Sequence, residues 1–337
     1  MYEEQEDRLS LDFHTGMTPE KHFSAVVNMV AFLSLLLIVF YVGMAYISHF
    51  VLEYIHAVFQ ADKNTCLAVI DVWNMFEYIC SFLLPVAIVL LIFRDRIFRP
   101  YIPFRPSLPK HAISAIFMTV GILYVFGAIV DSFFGILASA GLPLAYYETP
   151  LPQTPLRIFL YFISSVILPA FVEEMIFRGY ILHLLLPHGK TFAILVSAVL
   201  FGLMHLYLPQ LLYATIAGVL IGYFVVVGES LWIGILIHAV NNLFAFLFEM
   251  AGVFLSENSY VFFCVLMESI IFFCGIIGVL ILFRYHAQKG RIKHLENGSV
   301  YSRLLDTPTA LRRSLTFPMI CYLLYAGYHT VWNSFIF

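Results

Sequence analysis

Pro169-Ala-Phe-Val-Glu173-Glu174-Met-Ile-Phe-Arg178-Gly179-Tyr180 sets two adjacent carboxylates and an arginine at the end of a run so apolar that it should lie in lipid. An ionisable side chain deep in a bilayer costs roughly 2.5–3.5 kcal/mol on insertion scales, so such residues face a partner, a water-filled cavity or a reaction. The surrounding chain agrees with a membrane setting. Its 337 residues are 61% hydrophobic and 12% charged, whereas a soluble domain is about 25% charged. A net charge of -3 without a concentrated basic patch excludes a nucleic-acid-binding module.

Working outward, windows of about 20 apolar residues suffice to cross a hydrocarbon core of about 30 Å. They occur at 23–51, 72–93, 112–138, 156–186, 191–207, 210–227, 232–250, 260–283 and 317–336. The expected fold is all-α, a polytopic transmembrane bundle of eight to nine helices. Basic residues mark cytoplasmic loops. The segment 94–110 carries five and 284–313 carries seven, while 53–71, 141–155 and 251–259 are acidic or poor in basic residues. Six crossings separate the two basic loops, an even number, which puts the N-terminus in the cytoplasm. The acidic Met1–Asp7 lacks the basic region of a cleavable signal peptide, so the first span is expected to stay as a helix. The five cysteines are scattered and read as small core hydrophobes. One integral unit is expected, with N-terminal helices in 1–155, a core in 156–250, and C-terminal helices with a basic loop in 251–337.

Within the core, Glu174 and Arg178 are four apart and share a helix face, with the acid first, the favoured order for a pair. Glu173 lies about 100° away around the helix, free to point at a cavity. Phe201-Gly-Leu-Met-His205 and His238-Ala-Val-Asn241-Asn242 follow on later helices, and His238 and Asn242 are again four apart. At about 1.5 Å per residue, His238 is about 12 Å in from Ser230, His205 about 22 Å in from Lys190, and Glu173 about 20 Å from that same loop. A carboxylate, two imidazoles and an amide in one slab fit water activation with stabilisation of an oxyanion.

The order E-E-x-x-x-R, F-x-x-x-H, H-x-x-x-N, approached by Ser164-Ser165-Val-Ile-Leu-Pro169, resembles the CPBP intramembrane proteases, also called the Abi or type II CAAX prenyl endopeptidase family. The resemblance covers about 156–250 and implies a four-helix catalytic core. It implies that Glu173 is the general base for water with His205 beside it. Glu174 and Arg178 would orient the site, and His238 and Asn242 would hold the oxyanion.

No cofactor is expected. Zinc at the Glu/His cluster is the alternative, but there is no H-E-x-x-H and asparagine is a poor ligand. The expected partners are the lipid bilayer and a peptide or membrane-anchored protein substrate, in a bacterial cell membrane. A proton- or ion-coupled transporter and a non-catalytic peptide-binding immunity protein are the competing functions. Glu77, Asp131 and Glu268 read as interfacial or interhelical acids, and His183 and His188 as solvated residues at the end of the acidic helix.

Overall fold

A computed structural model describes residues 18–60, 62–95, 98–104, 111–142, 144, 151–289 and 307–335. The acidic N-terminus and much of the second basic loop lie outside the described residues. The chain is an all-α, multi-pass bundle. In order its helices are α1 (Pro19–Val58), α2 (Lys63–Ile92), α3 (Ala112–Ser139), α4 (Pro155–His188) and α5 (Lys190–Leu203). There follow α6 (Leu208–Gly228), α7 (Leu231–Phe254), α8 (Glu257–Lys289), α9 (Thr307–Ser314) and α10 (Phe317–Ser334).

Among the described residues seven of these, α1 to α4 and α6 to α8, are long and apolar enough to cross a membrane. The expected span at 191–207 is shorter in the structure. Its helix α5 stops at Leu203 after 14 residues, about 21 Å of rise against a core of about 30 Å. The chain then turns through Leu206, whose φ of 50° is left-handed, before α6 begins at Leu208. That break leaves backbone groups to be satisfied, and α10 supplies partners. Leu208 N–H donates to Ser334 Oγ (2.6 Å) and Tyr322 OH donates to the Leu200 carbonyl (3.2 Å).

Helix starts follow local chemistry. Thr18 caps α1 by accepting from the Lys21 amide, and a proline follows at the first turn, where its missing N–H costs nothing. Asp62 caps α2 in the same way, and the Thr65 hydroxyl and then its amide hold the Asp62 carboxyl below its ordinary range. Between α3 and α8 the backbones touch. A Cβ on Gly121 would stand 2.6 Å from the Gly275 Cα, so only glycine permits this small-residue crossing, the usual device of membrane helices. The segment Phe98–Phe104 lies across one end of α4 and α7. Tyr180 OH donates to the Phe98 carbonyl, Leu231 N–H donates to the Pro103 carbonyl, and Phe104 packs on Trp232.

Candidate active site

Helix α4 is not regular, and its irregularities bracket the acids. Two π-helical stretches, Ile163–Ile167 and Met175–Leu182, flank the α-helical turn Leu168–Glu174. Such bulges gather at functional sites. Pro169 accounts for the first, because proline has no N–H and clashes with the preceding turn. In an α-helix residue 169 would donate to the Ser165 carbonyl. Here Asn242 Nδ2 of α7 donates to that carbonyl instead (3.0 Å). The Ser164 and Ser165 hydroxyls both turn back to the Tyr161 carbonyl. Asn242 is in turn linked through Asn241 to Tyr213 OH on α6.

This arrangement makes a prediction. Asn242→Ala should strand the Ser165 carbonyl and cost about 1–3 kcal/mol, as an unsatisfied buried acceptor does. Pro169→Ala, which restores an N–H, should recover most of that loss in the double variant. Thermal unfolding of the two single variants and the double variant decides it; strictly additive losses would refute the pairing.

The two acids have unlike surroundings. Glu174 is fully enclosed, and its Oε1 accepts from Arg178 Nη1 (2.8 Å) and His238 Nδ1 (2.9 Å). Glu173 keeps 11% of its side chain exposed, against 0% for Glu174, so Glu173 is the less enclosed of the two acids. Its Oε1 accepts from Tyr78 OH on α2 (2.7 Å), and its Oε2 stands 3.8 Å from His238 Nε2. His238 therefore sits between the carboxylates. Because Glu174 can only accept, His238 carries its proton on Nδ1, and the other nitrogen is turned to Glu173.

Arg178 is held from several sides. Its guanidinium lies over the Phe201 ring, 4.2 Å from the centroid. Backbone closes in as well: a Cβ on Gly218 would stand 3.1 Å from Arg178 Nη2, and one on Gly234 would stand 3.1 Å from Glu174 Oε2. Arg178 Nε and Nη2 and Glu174 Oε2 have no hydrogen-bond partner among the described residues.

His205 lies beyond the end of α5, on the stretch that turns into α6. Its Nδ1 meets the Phe201 carbonyl (3.0 Å), and since a carbonyl only accepts, Nδ1 bears the proton and Nε2 keeps its lone pair. Phe201 stands edge-on to both imidazoles, 5.1 Å from His205 and 5.9 Å from His238. His205 is also within electrostatic reach of Glu173 and His238. The structure thus gathers Glu173, Glu174, Arg178, His205 and His238 about Phe201. It sets Asn242 one turn further along α7, engaged with the Ser165 carbonyl rather than joined to His238. Among the described residues no three His, Cys, Asp or Glu side chains converge as a metal-holding group.

Two residues that tie α2 to α4 are not singled out by the sequence. Tyr78 is one; the other is Arg157, which reaches Asp71 of α2 with Nε at 2.7 Å and Nη2 at 3.2 Å. No local signal distinguishes either, since both contacts join positions more than 80 residues apart. His183 and His188 correct the expectation of solvated residues, because both are buried. The start of α1 packs on them: the His188 ring is tilted against His22 and edge-on to Phe23, and the His183 ring bonds the Arg178 carbonyl across the π-helical stretch. Glu77 keeps its interhelical reading, accepting from Ser48 of α1, to which Trp73 also donates.

Comparison with known proteins gave one family. Residues 155–244 match the family model described as type II CAAX prenyl endopeptidase Rce1-like. No curated protein and no solved structure matches. Glu173, Glu174, Arg178, His205, His238 and Asn242 all lie in the segment that matches this CAAX protease-like family.

Proposed function

We propose that this chain is an intramembrane endopeptidase that hydrolyses peptide bonds of a peptide or a membrane-anchored protein. The observation that carries the reading is the asymmetry of the two acids. Glu174 is enclosed and neutralised by Arg178, while Glu173, partly exposed, is bonded at one oxygen and turns the other toward His238.

In this reading Glu173 accepts a proton from water as the water oxygen attacks the carbonyl carbon of the scissile bond. The carbonyl π electrons move onto oxygen, and the resulting oxyanion is met by the Asn242 amide after it releases the Ser165 carbonyl, while the His238 Nδ1–H stays on Glu174. When the intermediate collapses, the proton held by Glu173 passes to the departing amine. Arg178 takes no part in bond making. It pairs with Glu174, the acceptor that fixes the His238 ring. No metal is needed in this scheme, because the acid–base pair activates the water, and turnover should survive exhaustive chelation.

The substrate follows from the setting. A site embedded in a helical bundle takes an extended segment delivered from the membrane, so a signalling peptide, a bacteriocin-related peptide or an anchored protein fits. Comparing the membrane and secreted peptidomes of cells carrying the wild-type chain with those carrying Glu173→Ala tests this. Peptides present only with the wild type are expected, and identical peptidomes would remove the reading. Flux of protons or ions in liposomes that is lost on Glu173→Gln would instead favour a transporter.

A further inference from the structure

A carboxylate buried in a low-dielectric bundle needs hydrogen-bond donors. Glu174 finds two within the family-matched segment. Glu173 is placed differently: within that segment His238 Nε2 on α7 stands 3.8 Å from its Oε2, beyond hydrogen-bond range. The bond that Glu173 does accept comes from Tyr78 on α2, outside residues 155–244.

The approach of α2 is anchored. Asp71 and Tyr78 are seven residues apart and share one face of the helix. Asp71 is clamped by Arg157 through both carboxylate oxygens, a paired geometry that fixes orientation as well as distance. Two turns on, the Tyr78 ring rests on Phe82, with centroids 4.7 Å apart. The neighbouring Glu77 points elsewhere, to Ser48 of α1. The phenol is therefore aimed by packing and by an ion pair on the same face.

We propose that Tyr78 is a positioning residue of the hydrolytic centre, supplied by α2 to hold Glu173 Oε1 so that Oε2 is the oxygen that meets water. The proposal rests on the endopeptidase reading for its effect on turnover, but not for the contact itself. A carboxylate without the phenol would rotate and could turn either oxygen toward His238 or back to Arg178, and the fraction of molecules with a competent base would fall. The catalytic unit is then wider than the four-helix segment, and a fragment holding only that segment would lack a donor on its base.

Two measurements on the full chain test it. In the cleavage assay Tyr78→Phe, which keeps the ring on Phe82, should lower kcat by about ten- to a hundredfold, the range for a hydrogen bond to a charged group, with KM little changed. In a Glu173→Gln background the same substitution should add nothing. Unchanged kcat in Tyr78→Phe, or a full further loss in the Glu173→Gln background, would overturn the assignment. The second readout needs no turnover. With 3-fluorotyrosine placed at position 78, the fluorine resonance should move on Glu173→Gln and stay put on Glu77→Gln. A resonance that ignores Glu173→Gln overturns the contact. Should the wild type show no peptidase activity, the endopeptidase reading fails while the fluorine signal still decides what Tyr78 touches.

Discussion

Glu173→Gln is expected to lower peptide cleavage by about 100- to 10,000-fold, the usual contribution of a general base, while the protein stays folded and inserted. Glutamine has the shape of glutamate and still accepts from Tyr78, so packing is unchanged, but its amide cannot take a proton from water. The charged pair Arg178–Glu174 is untouched, because Glu173 is not its partner. That separates this variant from Glu174→Gln, which weakens the clamp on His238 and so loses both stability and rate. Single-turnover cleavage of a peptide found in the peptidome comparison, beside a thermal unfolding curve, gives both readings. A fully active Glu173→Gln protein would end the assignment of Glu173 as base.

Arg178→Met should produce the largest loss of stability in the chain, about 3–5 kcal/mol, because it leaves Glu174 charged and enclosed without its cation. Arg178→Lys should not rescue it fully, since an ammonium lacks the flat face that rests on Phe201. The informative variant is the double replacement Glu174→Leu with Arg178→Met. Buried ion pairs exchanged for apolar residues of similar volume are often as stable as the original, so the double variant should recover most of the folding loss. It should not recover activity, because His238 Nδ1 then has no acceptor. Unfolding in mixed detergent, followed with the cleavage assay, separates the two effects. An Arg178→Met protein as stable as the wild type would show that the pair is dispensable for folding.

Much of this arrangement is legible in the sequence, and the residues say why. Helix boundaries come from hydropathy, so the start of α3 at Ala112 and of α10 at Phe317 are both expected. The pairing of Glu174 with Arg178 is legible because both lie on one helix within a turn of each other. What stays hidden is what depends on a second element far along the chain. Tyr78 is one of 20 tyrosines, and nothing in its neighbours tells it from one that faces lipid. The Asn242 bond to the Ser165 carbonyl requires knowing that Pro169 has emptied that carbonyl and that α7 passes beside it. The early end of α5 is hidden as well, because Leu203, Met204, Leu206 and Leu208 continue the apolar run across the turn. His183 and His188 look solvated because they follow the last charge on α4, and only the packing of α1 encloses them.

The break after α5 also sets a timetable for biogenesis. The turn that carries His205 is closed from α10, by Ser334 on the Leu208 amide and by Tyr322 on the Leu200 carbonyl. A nascent chain made up to Asn242 already holds every residue of the matched motifs, yet its 14-residue helix would enter the bilayer with the Leu208 amide uncovered and the Leu200 carbonyl bonded by the Met204 amide without Tyr322. At about 5–20 residues per second, the ribosome needs roughly 5–20 s to travel from Asn242 to Ser334. During that interval the turn that carries His205 lacks its closure from α10, so the candidate site is complete only once the rest of the bundle has formed around it.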